Sequence, residues 1–141
     1  MVWLYRERLF SMAMDLGNGK SRRLAANIII AFLPAAIIGL LTHSWIKLYL
    51  FNTYTVAAAL IAGGLVILII EKIVKTPRVL EIDNISLRTA LGIGFAQVFS
   101  MFPGVSRSGA TIMGGLIAGL DRKTATEFSF FLAIPTMFAA T

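Results

Sequence analysis

TALGIGFAQVFSMF (89–102), PGVSRS (103–108) and GATIMGGLIAGL (109–120) set two apolar runs on either side of a Pro-Gly break that carries two serines and an arginine. As helices, the flanking runs of 14 and 12 residues would reach about 21 and 18 Å at roughly 1.5 Å per residue. A bilayer's hydrocarbon core is roughly 30 Å thick. Neither run spans it alone, so the fold depends on what lies on each side of the pair.

Upstream, residues 24–42 (LAANIIIAFLPAAIIGLLT) hold 19 positions without a charge and residues 50–70 (LFNTYTVAAALIAGGLVILII) hold 21. Both are long enough to cross a membrane as helices. Pro34 lies inside the first and frees the carbonyl of Ile30. This costs about 3 kcal/mol in water, but neighbouring helices can offset it in lipid, and a kink near Ile30 is expected. Ala57, Ala58, Ala59, Ala62, Gly63 and Gly64 give the second run a small-residue surface for close packing. Composition agrees: 57% of residues are hydrophobic and 14% charged, with a mean hydropathy of +0.82, unlike a soluble domain. The net charge of +6 does not indicate nucleic acid, because Lys and Arg flank apolar runs instead of forming one basic face with interleaved aromatics. The absence of cysteine excludes disulfides, thiolate metal sites and cysteine nucleophiles. Arg6, Glu7 and Arg8 interrupt the first apolar stretch before a secretory signal can form.

Lys and Arg accumulate in short cytoplasmic loops. Arg6, Arg8, Lys20, Arg22 and Arg23 precede the first span, only Lys47 lies between the spans, and Lys72, Lys75, Arg78 and Arg88 follow the second. The first and third loops therefore face the cytoplasm, and Trp45 and Tyr49 suit the outer interface. Asp121-Arg122-Lys123 is another basic loop. With cytoplasmic charge on both sides, residues 87–102 and 109–120 form the arms of a re-entrant helical hairpin with the break near the midplane. The alternative, one long broken span over 87–120, puts Arg122 and Lys123 outside, against the charge bias. Irregular backbone at depth persists only where it is packed in protein or lines a wet cavity, so the break is a site candidate. A further membrane helix is expected from Glu127. The fold class is all-α, a polytopic integral membrane protein, with residues 1–141 as one membrane domain. The apolar run halted at residue 141 and the MVWLY start, which resembles the tail of an earlier span, mark the chain as an expected fragment.

An arginine at the bilayer centre costs at least about 2.5 kcal/mol and is a functional candidate by default. The guanidinium of Arg107 is a planar fork suited to phosphate oxygens, with the hydroxyls of Ser106, Ser108 and Thr111 around it. With Gly109 starting the returning helix, free N–H groups and the positive dipole end would face the same place. Gly104 and Gly109 let backbone approach a ligand, and Pro103 ends the descending helix. The structural alternative pairs Arg107 with a carboxylate such as Glu127 while the serines bond backbone carbonyls. Ser106 is read as a phosphate donor in preference to a nucleophile, since no base is visible to activate it. Gln97 either orients water or bonds another helix. Glu127 is a hidden acid, a brace, or the start of a helix. His43, without a second histidine or a nearby carboxylate, is not read as a ligand.

PGVSRSGAT (103–111) resembles the PGxSRSxxT signature of the undecaprenyl-diphosphate phosphatase family, the bacitracin-resistance membrane proteins. The likeness extends through ALGIGFAQ (90–97) upstream and Gly114-Gly115, EFSF (127–130) and AIP (133–135) downstream. It also takes in AFLPAA (31–36). The resemblance implies a multi-pass enzyme of the bacterial cytoplasmic (inner) membrane that hydrolyses undecaprenyl diphosphate to undecaprenyl phosphate plus phosphate, recycling the cell-wall lipid carrier. It further implies two inverted repeats, each with a re-entrant hairpin. Arg107 and Ser106 would be catalytic, with Ser108, Thr111, Gly104, Gly109, Gln97 and Glu127 binding substrate. A divalent cation, Mg or Ca, is implied as cofactor. The family's other motif, a Glu/Gln-xxx-Glu pair followed by a Ser/Thr-rich turn and a His, has no match here, so the metal ligands and the general base are expected outside this chain, which alone would be inactive. The expected partners are a polyprenyl diphosphate lipid and the bilayer, with homodimerisation left open. A lipid transporter or flippase that moves the anionic head without cutting it is the rival reading.

Overall fold

The structure, a computed structural model, describes residues 19–74 and 77–140 together with 6, 7, 10 and 14. Among the described residues from 19 onward the α-helices are α1 Gly19–Tyr49, α2 Thr53–Ile73, α3 Leu87–Val98, α4 Arg107–Ile117 and α5 Arg122–Ala140. Short 3₁₀ turns occupy Ile82–Asn84 and Phe99–Met101. Among the described residues the only extended pairing is an isolated parallel bridge between Val79 and Leu120. The described residues are all-helical, and among them two helices, within Arg22–Tyr49 and over Thr53–Ile73, are long and apolar enough to cross a membrane.

The helices do not begin and end where hydrophobicity does. The 31 residues of α1 extend about 46 Å, well past the uncharged run at 24–42, because polar and basic residues continue the hydrogen-bonded ladder beyond an apolar stretch. It also continues through Pro34. Asn52 starts α2 by accepting the Thr55 N–H on Oδ1 at 2.9 Å, and Ser86 starts α3 by accepting the Thr89 N–H at 3.1 Å. The last helix begins at Arg122, five residues before the expected Glu127. Asp121 is the reason, since its Oδ1 accepts the Thr124 N–H at 2.9 Å and caps the first turn.

Leu24, Asn27, Ile28, Ala31, Pro34 and Ala35 are buried along one side of α1 at helical spacing. Ala31 faces Gly94 of α3, where a Cβ would collide with the Ala31 carbonyl oxygen. The two backbones therefore touch, and α1 with α3 is the most extensive helix pair. Ile85, Ile93, Leu120, Phe128, Phe131 and Leu132 complete the core around them. By contrast, α2 buries none of its residues.

Hydrogen bonds tie the start of the α3–α4 pair to its end. The N–H groups of Arg78 and Val79 both donate to the Gly119 carbonyl, at 2.7 and 2.9 Å, and the Asp121 N–H donates to the Val79 carbonyl at 3.0 Å. Gly119 has φ +104, a region that favours glycine. Beside this junction Arg122 pairs with Glu71 at 3.2 Å, so the C-terminal ends of α2 and α4 and the start of α5 lie together. The opposite tip, at Gly104, packs on Val56 and Ala59 near the start of α2, whereas Gly109 lies near Ile67. The break thus extends along α2 from near its start to the level of Ile67 and does not sit at a single level.

Candidate functional site

Helix α3 stops at Val98, five residues before Pro103, and passes through the 3₁₀ turn to an extended Phe102 (ψ 128°), the conformation a following proline favours. The Val105 N–H then donates to the Phe102 carbonyl at 3.1 Å, closing a turn with Pro103 and Gly104 at its centre. Gly104 has φ +95, as the third position of a type II turn requires. A Cβ there would also approach the Val56 carbonyl oxygen to 2.6 Å, so sterics and backbone angle both demand glycine.

Helix α4 begins at Arg107, two residues earlier than the expected Gly109, because Ser106 caps it. Ser106 Oγ accepts the Gly109 N–H at 3.1 Å, and its carbonyl accepts the Ala110 N–H at 2.9 Å. The N–H groups of Arg107 and Ser108 lie ahead of any intrahelical acceptor, at the positive end of the helix dipole. The side chains of Ser106, Arg107 and Ser108 are exposed, and the two serine oxygens stand 3.4 Å apart. No ion pair links Arg107 to Glu127 among the described residues.

Beside this turn residues of α3, α4 and α5 line a half-open cavity of about 190 Å³. Its polar wall is Gln97, Arg107, Ser108, Thr111 and Ser129; Phe130, Ala133 and Met137 form the apolar side. The volume is below the roughly 300–1,000 Å³ of sites for drug-sized ligands. Thr111 is buried, with Oγ1 3.1 Å from the carbonyls of both Arg107 and Ser108 and 2.5 Å from Ser129 Oγ. Its hydroxyl is thus committed to bracing. Gln97, 1% exposed, donates from Nε2 to Thr136 Oγ1 at 3.0 Å.

The structure brings Arg107, Ser108, Thr111 and Gln97 together around one cavity, with Ser106, Gly104 and Gly109 shaping the turn that leads into it. Glu127 is not part of the wall. It precedes Ser129 by two residues, about 200° around the helix, and does not cap α5, which starts one turn earlier. Ser129 and Thr136 were not singled out from the sequence. Their spacing of seven within an apolar run, a polar pair on one helix face, is the signal that could have found them.

A divalent cation does not fit the residues present. Its usual ligands are several carboxylate and carbonyl oxygens, whereas the polar wall offers a guanidinium, hydroxyls and a single amide oxygen, with no carboxylate. Among the described residues no group of three His, Cys, Asp or Glu side chains is arranged to hold a metal ion.

The family model described as bacitracin resistance protein BacA matches residues 1–141. An undecaprenyl-diphosphatase of Laribacter hongkongensis is 56% identical over 142 residues, covering 100% of this chain and 52% of the relative. Proteins of the same name from Methylococcus capsulatus and Nitrosomonas europaea are 53% and 52% identical, again over 100% of this chain and 52% of their own length. The chain spans about half the length of the curated relatives it matches. On the match over all 141 residues, the chain belongs to the bacitracin resistance protein BacA family.

Proposed function

We propose that the whole protein is an undecaprenyl-diphosphatase of the bacterial cytoplasmic membrane, hydrolysing undecaprenyl diphosphate to undecaprenyl phosphate plus phosphate, and that this chain supplies the residues that hold the diphosphate. One observation carries the reading: a guanidinium and a serine-capped helix N-terminus adjoin the cavity, in a chain 56% identical to a protein of that name.

In this reading Arg107 grips two oxygens of the terminal phosphate with its planar fork. The Arg107 and Ser108 N–H groups and the helix dipole take up further negative charge. Ser106 Oγ already accepts the Gly109 N–H, which leaves its proton to donate to phosphate. With neither carboxylate nor imidazole in the cavity wall, Ser106 has no base there to make it a nucleophile. Thr111 holds the first turn of α4 in place. The Mg or Ca ion implied by the family resemblance would be held by residues other than those of this wall.

In the membrane, α1 and α2 are the spans, and α3 and α4 are the arms of a re-entrant hairpin, one unit of an inverted-repeat architecture. The bonds joining Arg78 and Val79 to Gly119, and Asp121 to Val79, support this, since they keep both ends of the hairpin beside the C-terminal end of α2. The isoprenoid tail lies among the apolar helix faces. The test is phosphate release from a polyprenyl diphosphate by the full-length protein in detergent. Turnover that Arg107→Ala abolishes sustains the reading, and binding without turnover points to a lipid transporter.

A further inference from the structure

Two buried amides, Asn27 and Gln97, each carry an oxygen with no hydrogen-bond partner among the described residues. Asn27 donates from Nδ2 to the Ile85 carbonyl at 2.8 Å, in the packing between α1 and the loop before α3, and takes no part in the cavity wall. Gln97 does line the cavity.

Its neighbours fix which atom of the amide is left over. Thr136 Oγ1 donates its only proton to the Leu132 carbonyl at 2.8 Å, so toward Gln97 it can only accept. The amide therefore presents Nε2 to Thr136, and Oε1 remains as an acceptor in a side chain 1% exposed. An amide oxygen has no attraction for the oxygens of a phosphate. The group it takes must bring a hydrogen-bond donor, and with the Arg107 guanidinium turned to phosphate in the reading above, an O–H is the donor left to supply it.

Resting on the hydrolase reading above, we propose that Gln97 is a positioning residue whose Oε1 holds the water molecule that attacks the phosphate gripped by Arg107. In that step the water oxygen bonds to the terminal phosphorus. The bond from that phosphorus to the bridging oxygen breaks, its electron pair leaving with undecaprenyl phosphate, and the two water protons end on the two phosphate products. Gln97 takes no proton. It fixes one O–H and so turns a water lone pair toward phosphorus, a gain in orientation.

The experiment measures kcat and KM for phosphate release, with the thermal midpoint, on the full-length protein in detergent and on its Gln97→Leu, Gln97→Glu and Thr136→Val variants. Gln97→Leu is expected to lower kcat about tenfold with KM changed less than about twofold, the size of one lost hydrogen bond made in the transition state. Gln97→Glu keeps an acceptor oxygen, but its second oxygen meets Thr136 Oγ1, which can only accept, so the midpoint should fall while kcat falls less than in Gln97→Leu. Thr136→Val removes only the brace, so it should lower the midpoint as Gln97→Leu does while reducing kcat less. Equal kcat losses in Gln97→Leu and Thr136→Val would make Gln97 a helix brace and overturn the proposal. So would a rise in KM at unchanged kcat, which would assign Oε1 to a phosphate hydroxyl. Should Gln97→Leu not fold, Gln97→Met, which keeps the length of the side chain without its acceptor oxygen, takes its place, and a kcat equal to wild type in that variant overturns the proposal. A wild-type protein that binds the diphosphate and releases no phosphate overturns the hydrolase reading itself, and this proposal with it.

Discussion

Thr111 on α4 and Ser129 on α5, 18 residues apart in the chain, meet through their hydroxyls at 2.5 Å in a site almost closed to solvent. Because Thr111 Oγ1 also contacts the carbonyls of Arg107 and Ser108, this contact clamps the turn that carries the arginine. α5 therefore determines where Arg107 stands, although it contributes no charge to the cavity.

Thr111→Val keeps the shape but removes the oxygen, leaving the Ser129 hydroxyl buried without this partner. A loss of about 1–3 kcal/mol in unfolding free energy is expected. Ser129→Ala should cost a similar amount, and the double variant less than the sum by at least about 0.5 kcal/mol. Denaturant or thermal unfolding in detergent measures all three. Strict additivity would show that the two hydroxyls do not interact.

Gly104→Ala and Gly94→Ala should both destabilise, for different reasons. At Gly104 the φ of +95 and the Val56 carbonyl together resist any side chain, at about 1–3 kcal/mol for the backbone strain alone. At Gly94 the helical backbone is ordinary, but the added carbon forces α1 and α3 apart at Ala31. Limited proteolysis should therefore show Gly104→Ala opening the turn before Val105, and Gly94→Ala loosening the α1–α3 contact.

Arg107 is exposed and ion-paired to no described residue, so removing it should leave the thermal midpoint nearly unchanged while activity falls. Arg107→Ala is expected to lower kcat/KM at least about tenfold to a hundredfold, the scale of a charge-assisted hydrogen bond. Arg107→Lys should recover little, because an ammonium lacks the planar fork. Steady-state kinetics beside a melting curve separates the two effects. Full activity in the lysine variant would show that charge alone suffices.

The 141-residue chain, purified in detergent, should bind inorganic phosphate or a non-hydrolysable diphosphate but release no phosphate from a polyprenyl diphosphate. The cavity wall has donors and no general base. Turnover by this chain alone would refute the division of labour proposed above.

Segment lengths and charge were enough to read an all-helical chain with two long apolar helices and a Pro-Gly break between two shorter ones. The helix starts at 107 and 122 were missed by two and five residues. In both cases a polar residue ahead of the apolar run, Ser106 or Asp121, supplied the cap, and hydrophobicity does not register caps. The sequence places Thr111 among the hydroxyls around Arg107; its contact with Ser129 is visible only in the packing. Glu127, the alternative partner for Arg107, makes no ion pair with it among the described residues.

What the sequence determined by itself follows from properties that add along the chain: apolar length, the distribution of Lys and Arg, and a Pro-Gly turn whose geometry is local. Tertiary structure alone decided which side chains meet. The contacts of Ala31 with Gly94, Thr111 with Ser129 and Gln97 with Thr136 depend on how each helix is rotated about its axis and how closely it packs. Those quantities are set by the shapes of the neighbouring helices.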